Sequence, residues 1–173
     1  AGPPLPPRCV ALTFDDGYLD NYETAFRRLS ERGLPAAFFV VSSRIGGADP
    51  NGAPCMSAGH LREMREAGMT IGSHGETHRL LARIPLEEAR GELERSRAAL
   101  EGILGGPVRW LCYPRGNFNR DVAAAARQAG YDGACSAIRD NRARPDQLFW
   151  LPRIMPMLGT TPLRFAYYFS FFY

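Results

Sequence analysis

Two adjacent carboxylates follow the first apolar segment of the chain and precede a glycine. They are Asp15 and Asp16, in the run from Thr13 to Tyr18 that reads TFDDGY. Because side chains alternate along a strand, the two carboxylates can point in different directions beyond its end. One carboxylate could then bind a metal ion while the other moves a proton. A plain turn in which an aspartate caps a helix would also suit this segment.

Two of the three histidines in the chain, His74 and His78, lie four residues apart in the segment SHGETH. This spacing places both imidazoles on one side of a helical turn, and neutral imidazole is the commonest metal ligand. With one carboxylate they would form a catalytic metal site that keeps positions open for water and substrate. The zincin motif is excluded because Gly75 separates His74 from Glu76. A chance pair of surface histidines is the alternative.

A proline and a glycine flank an arginine at the end of a later apolar run. The segment from Leu111 to Gly116 reads LCYPRG, and its proline and glycine let the backbone turn tightly. Such a turn could expose a backbone N–H to a substrate oxyanion. The same letters also fit an ordinary connection between a strand and a loop.

Short apolar runs alternate with helical patterns along the chain. Strands are predicted over 9–14, 36–41, 70–73, 108–113 and 131–136, with a further one in 148–154. Helices are predicted over 21–32, up to Ala67 with Ser57 as N-terminal cap, from Pro85 up to Gly105, which ends it, and from a cap at Asn119 to the residue before Gly130. Because strands alternate with helices, the sheet should be parallel. We predict an α/β fold, a distorted and incomplete (β/α) barrel, since eight full units need about 250 residues.

The three reactive segments all lie where a predicted strand ends. In an α/β barrel these ends meet on one face, where active sites form. The loops 42–54 and 137–147 border the same face and are expected to determine substrate specificity.

The composition limits the classes of partner and the number of domains that the chain can have. The chain has 173 residues and a formal charge of +3, and all 21 of its basic residues are arginines spread along the sequence. This pattern argues against a nucleic-acid partner, and no apolar run reaches the roughly 18 residues of a transmembrane helix. Residues 1–7 are rich in proline and are predicted to be a tail, and 8–173 are predicted to form one domain.

Two further features concern packing. Cys9, Cys112 and Cys135 lie in apolar runs and are expected to be buried free thiols. A helix beginning near Pro162 is apolar on every side and aromatic, and is expected to close the barrel or to contact a partner.

Together these segments resemble the polysaccharide deacetylase family, the NodB-homology domains of carbohydrate esterase family 4. The run TFDDGY matches the family's first motif, and HGETH matches its second. The likeness covers nearly the whole domain and includes Ala129 to Tyr131 and Leu151 to Ile154. The third segment is closest to the branch of poly-N-acetylglucosamine deacetylases.

The resemblance implies a metal-dependent hydrolase that removes N-acetyl groups from an N-acetylglucosamine polysaccharide and releases acetate. It implies zinc, or cobalt or nickel, bound by Asp16, His74 and His78, with Asp15 as general base. It implies that the Arg115 N–H meets the oxyanion, and it suggests substrate contacts by Tyr113, Pro114 and Gly116. The location of the family's substrates implies an extracellular or cell-envelope protein.

Two positions depart from the family pattern. Cys112 stands where many members have an arginine that orients the base, and we hypothesise that Arg153 pairs with Asp15 instead. The family's last motif supplies a histidine as general acid, whereas the remaining histidine here is His60, in the predicted helix after Ser57. The missing histidine leaves open a catalytically impaired protein that binds metal or glycan. A second alternative keeps the site but changes the substrate, giving an O-acetyl esterase.

Overall fold

The computed structural model describes residues 9–140, 144–156 and 159–170 of the chain. The predicted tail, residues 1–7, lies outside the described residues. Five strands form one parallel sheet in the order β1-β2-β3-β4-β5. They are β1 (Leu12–Phe14), β2 (Ala36–Val40), β3 (Thr70–Ser73), β4 (Trp110–Cys112) and β5 (Gly133–Cys135). The sheet curls into an incomplete (β/α) barrel, which confirms the predicted fold class.

Five α-helices accompany the strands in the described chain. They are α1 (Arg27–Ser30), which continues a π-helical segment (Asn21–Phe26), α2 (Ala58–Glu66), α3 (Leu86–Leu104), α4 (Arg120–Gln128) and α5 (Pro162–Ser170). The predicted caps of α2 and α4 are present. The Ser57 hydroxyl accepts the His60 N–H at 3.3 Å, and the Asn119 side chain accepts the Val122 N–H at 2.9 Å, which satisfies otherwise unpaired N–H groups.

The predicted strand in 148–154 is wrong. The chain makes only an isolated parallel bridge there, between Leu151 and Cys135. Pro152 lacks the N–H that would extend this pairing. Pro85 also precedes α3 rather than beginning it, and Cys9 is exposed because β1 begins only at Leu12.

The strands separate two packed regions. Phe38 and Val40 of β2 pack with the main core beneath the helices, whereas Phe39 between them packs with Cys112 and Cys135 in a second, smaller cluster. Alternation of side chains along a strand explains this division. The two cysteines are buried free thiols, as predicted, and act as small apolar side chains.

Helix α5 does not close the barrel. Leu163 is 84% exposed and Tyr167 is 58% exposed, and no residue from 162 to 167 is buried. The core clusters of the described residues draw instead on the strands and the earlier helices. In the described ranges, no helix combines the length and apolar character needed to cross a membrane.

Candidate active site

The three reactive segments meet at the carboxyl end of the sheet, after β1, β3 and β4. Each contributes a residue held in a left-handed backbone conformation: Asp16 (φ 70°), His78 (φ 66°) and Arg115 (φ 54°). No other non-glycine residue of the described chain has a positive φ. This conformation is costly for a residue with a side chain, and such strain clusters at functional sites.

Asp16, His74 and His78 form a cluster suited to a metal ion. The Asp16 Oδ1 lies 3.2 Å from the His78 Nε2 and 3.8 Å from the His74 Nε2. One ligand atom from each residue lies within 4.8 Å of the others. Two imidazoles and a carboxylate are the donor set of many catalytic zinc sites, so the residues present fit such an ion.

His74 is oriented by the neighbouring strand. Its Nδ1 lies 2.7 Å from the carbonyl oxygen of Cys112, which places the proton on Nδ1 and leaves Nε2 to face Asp16. Burial lowers the pKa of His74 and outweighs the charge of Asp15, which acts in the opposite direction. His74 is therefore neutral at physiological pH, as a metal ligand must be.

Arg153 pairs with Asp15, as hypothesised from the sequence. The Arg153 Nη1 donates to the Asp15 Oδ1 at 2.8 Å, and its Nη2 donates to the Oδ2 at 2.7 Å. Arg153 also donates to the Thr13 hydroxyl at 3.2 Å and to the Ser136 carbonyl at 3.0 Å. A planar guanidinium held at four points fixes the orientation of the carboxylate.

The charge of Asp15 follows from two opposing effects. Burial alone would raise its pKa, but the hydrogen bonds and positive charge of Arg153 outweigh burial, so that the pKa lies below its usual value. Asp15 is consequently ionised at neutral pH, in the state that can accept a proton.

Cys112 borders this ion pair. Its Sγ lies 3.0 Å from the Arg153 Nη2 and 3.5 Å from the Asp15 Oδ2. Burial raises the pKa of Cys112 well above its ordinary value, so the group is a neutral thiol.

Sequence analysis missed the contacts that hold the histidine loop. Glu92 of α3 is buried, and its carboxylate accepts both the N–H and the hydroxyl of Thr77, the residue before His78. Ser96, one turn further along, donates to the Gly75 carbonyl at 3.0 Å. The signal was present as buried polar positions on the apolar face of α3, where a partner is required.

The third segment, Leu111 to Gly116, agrees only in part with its predicted role. Arg115 borders the cleft over the metal cluster, and Pro114 is buried close to Gly75. Tyr113 is fully buried, and its hydroxyl donates to the Phe149 carbonyl at 2.9 Å. The expectation that the Tyr113 side chain contacts substrate is therefore wrong. Gly116 has a φ of 65°, and a side chain there would collide with Ala137.

A cleft of about 420 Å³ opens over Asp15, Asp16 and both histidines. Arg115 also lines the cleft, and its remaining walls come from Tyr18, Arg44, Asp49, Pro50 and Asn51, none of which was a predicted site residue. Four of these belong to the loop 42–54, which was expected to govern specificity. A cleft of this volume is large enough to hold a sugar residue.

His60 lies outside this cleft. Its Nδ1 accepts the Ser57 N–H at 3.2 Å, and its ring stacks on Tyr22 with centroids 4.1 Å apart. The residue therefore completes the cap of α2, and the cleft contains no histidine beyond the two described above.

Comparison with known proteins agrees with this geometry. The family profile described as "Polysaccharide deacetylase" matches residues 2–134. The chain belongs to the polysaccharide deacetylase family. The matched range includes the Asp15–Asp16 and His74–His78 segments that line the cleft.

Individual relatives are about a quarter identical to this domain over the aligned residues. YxkH of Bacillus subtilis (strain 168) is 26% identical over 161 residues, covering 93% of this chain and 56% of its own length. The poly-beta-1,6-N-acetyl-D-glucosamine N-deacetylase of Staphylococcus epidermidis is 26% identical over 163 residues, covering 87% and 55%. The chain thus spans little more than half the length of these two curated relatives.

The structure of IcaB from Ammonifex degensii superposes with a TM-score of 0.84 at 26% identity. The superposition covers 96% of this chain and 75% of that one. The shared fold therefore includes the strands and loops that carry the candidate site.

Proposed function

We propose that the chain is the catalytic domain of a metal-dependent hydrolase that removes N-acetyl groups from an N-acetylglucosamine polysaccharide and releases acetate. One observation carries the proposal: the cluster of Asp16, His74 and His78 adjoins a second carboxylate, Asp15, which is ionised and clamped by Arg153. The first group can bind a metal ion, and the second can move a proton.

Asp16, His74 and His78 would hold the ion, with zinc as the first expectation and cobalt or nickel as alternatives. A divalent ion held there would polarise the acetamide carbonyl and lower the pKa of a bound water. The hydrogen bond from His74 to the Cys112 carbonyl keeps the ligating nitrogen directed at Asp16.

Asp15 would accept a proton from the water that attacks the acetyl carbon. The tetrahedral oxyanion would meet the backbone N–H of Arg115, whose left-handed conformation turns the chain at the cleft. Asp15 would then return the proton to the nitrogen as the C–N bond breaks, so that acetate and a free amine leave. Pro114 and Gly116 would shape this turn rather than bind sugar through long side chains.

The polymer and the location are proposed from family membership. A relative named as a poly-beta-1,6-N-acetyl-D-glucosamine N-deacetylase favours a β-linked N-acetylglucosamine polymer, outside the cell or in its envelope. We further propose that residues 8–173 form the catalytic domain. The exposed aromatic helix α5 remains a candidate for contact with a partner.

An O-acetyl esterase is the second candidate. It is favoured by the absence of a third histidine from the cleft, because without a general acid an ester can expel an alkoxide, whereas an amide would have to expel a far more basic amide anion. Acetylated xylan distinguishes the two candidates from each other.

The test is acetate release from N-acetylglucosamine oligomers by protein stripped of metal with a chelator and reloaded with zinc. We expect zinc-dependent acetate, abolished in Asp15→Asn and retained in the control His60→Gln. Acetate from xylan alone would establish the esterase. Zinc bound in proportion to protein without acetate from either substrate would contradict both activities and leave a protein that binds metal or glycan.

A further inference from the structure

The acidic and basic side chains of the cleft differ in whether they have hydrogen-bond or ion-pair partners within the protein. Asp15 is held by two hydrogen bonds from Arg153. Asp16 belongs to the candidate metal cluster. The carboxylates nearest the metal cluster therefore have partners within the protein.

Asp49, the third carboxylate of the cleft, also accepts hydrogen bonds from within the protein. It accepts the backbone N–H groups of Asn51 and Ala53 at 2.9 and 2.8 Å. It further accepts the Asn51 amide and the Tyr18 hydroxyl, both at 3.2 Å. These bonds hold the pKa of Asp49 below its ordinary value, with the Ala53 N–H as the largest cause. The Asp49 carboxylate thus holds the backbone of the loop 42–54 in place.

The two cleft arginines differ from these carboxylates. The Arg44 and Arg115 side chains make no ion pair and donate no hydrogen bond within the described ranges 9–140, 144–156 and 159–170. The charge of Arg44 acts on Asp16, but that carboxylate already faces two imidazoles. A divalent ion held by Asp16 would take up the negative charge on which Arg44 acts.

Arg44 is also well placed to recognise a ligand. It ends a short 3₁₀ helix, Ser42–Arg44, that follows β2 directly. The Ser42 and Ser43 N–H groups donate to the Gly75 and Glu76 carbonyls at 3.2 and 3.0 Å. These bonds fix the backbone carrying Arg44 against the histidine loop, which lowers the conformational cost of binding.

We propose that Arg44, assisted by the Arg115 side chain, binds a carboxylate of the substrate, and that the polymer is an acidic glycan. This inference rests on the proposed function and narrows its substrate class. A carboxylate on the sugar beside the N-acetylated residue matches a planar guanidinium through paired hydrogen bonds. Fully neutral N-acetylglucosamine polymers offer no such partner.

The test compares an oligosaccharide of alternating N-acetylglucosamine and glucuronic acid with the same oligosaccharide after its carboxylates are reduced to alcohols. A third substrate, from alternating N-acetylglucosamine and N-acetylmuramic acid, carries the carboxylate on a lactyl ether instead. The variants are Arg44→Gln and a control, Arg62→Gln, which removes an equal charge from the exposed face of α2.

We expect the zinc-loaded protein to prefer one carboxylated substrate over the reduced one by about tenfold in kcat/KM. Arg44→Gln should abolish this preference, whereas Arg62→Gln should keep it. The carboxylated substrate that is preferred identifies the source of the carboxylate. Equal rates on all three substrates, or a preference that survives in Arg44→Gln, would overturn the proposal.

Calorimetric binding to the Asp15→Asn variant separates this proposal from the proposed function. Tighter binding of a carboxylated oligosaccharide, lost when Arg44→Gln is added, supports recognition even where no acetate is released. Equal dissociation constants for carboxylated and reduced forms would refute recognition even where the protein is an active deacetylase.

Discussion

Arg153 and Asp15 lie 138 residues apart in the chain and are joined by two parallel hydrogen bonds of 2.8 and 2.7 Å. The arginine comes from the segment after the Cys135–Leu151 bridge, and the carboxylate from the end of β1. The pair therefore joins the first strand of the sheet to the chain beside the last one, next to Cys112 of the smaller cluster.

Replacing Arg153 with lysine should lower kcat by about tenfold or more, because an ammonium group cannot form the paired contact of a guanidinium. Zinc content should not change, since Arg153 touches none of the candidate ligands. Steady-state kinetics and metal analysis measure both quantities, with Arg28→Lys on the exposed surface as control. An unchanged kcat would show that Arg153 does not position the base.

The pH dependence of Arg153→Ala offers an independent check. Burial raises the pKa of Asp15, and Arg153 more than offsets this effect. Without the arginine the pKa should rise, and the base should be protonated at a higher pH. The acidic limb of the kcat profile should therefore move to higher pH than in the original protein. A limb that stays in place would mean that another group titrates.

Removal of any metal ligand should abolish stoichiometric zinc binding. In the original protein, free zinc at about a hundred times its Kd should raise the free energy of unfolding by about 3 kcal/mol. His78→Gln should lose this stabilisation, whereas His60→Gln should keep it, because glutamine preserves the capping box of α2. Thermal unfolding with and without zinc measures the effect. Equal stabilisation of both variants would place the metal elsewhere.

Glu92→Ala should weaken zinc binding although Glu92 is not a ligand. It would leave the Thr77 N–H without its acceptor, which should cost about 1–3 kcal/mol of stability. The loosened histidine loop should raise the zinc Kd by about tenfold. Glu94→Ala on the exposed face of α3 is the matched control. A variant that unfolds more readily but binds zinc normally would show that Glu92 stabilises the fold without contributing to zinc affinity.

Two glycine substitutions should change the free energy of unfolding in opposite directions. Gly116→Ala places a side chain where φ is 65° and Ala137 blocks the space, and should destabilise the protein by about 2 kcal/mol. Gly102 lies within α3 with open space around it, so Gly102→Ala should stabilise by about 0.5–1 kcal/mol. Urea unfolding measures both values. A neutral Gly116→Ala would show that the third segment can move.

Tyr113→Phe tests the corrected role of that residue. Loss of the hydrogen bond to the Phe149 carbonyl should cost about 1 kcal/mol of stability. KM should stay unchanged because the side chain is fully buried. A raised KM at unchanged stability would show that the Tyr113 hydroxyl contacts the substrate after all.

Local sequence was sufficient for everything that depends on near neighbours. The turn residues Asp16 and Gly17, the caps Ser57 and Asn119, and the four-residue spacing of the histidines lie within single segments. The alternation of strands with helices then implied a parallel sheet, whose strand ends share one face. These features were predicted because their physical causes act over a few residues.

The tertiary structure alone decided which distant groups became partners. Glu92 supports the histidine loop, Tyr113 turns into the core, and Arg44 and Asp49 enter the cleft. Each outcome depends on the relative position of elements far apart in sequence, which is set by packing of the whole sheet and its helices. Composition and spacing contain no such distances, so the charges that face the substrate emerged only from the folded chain.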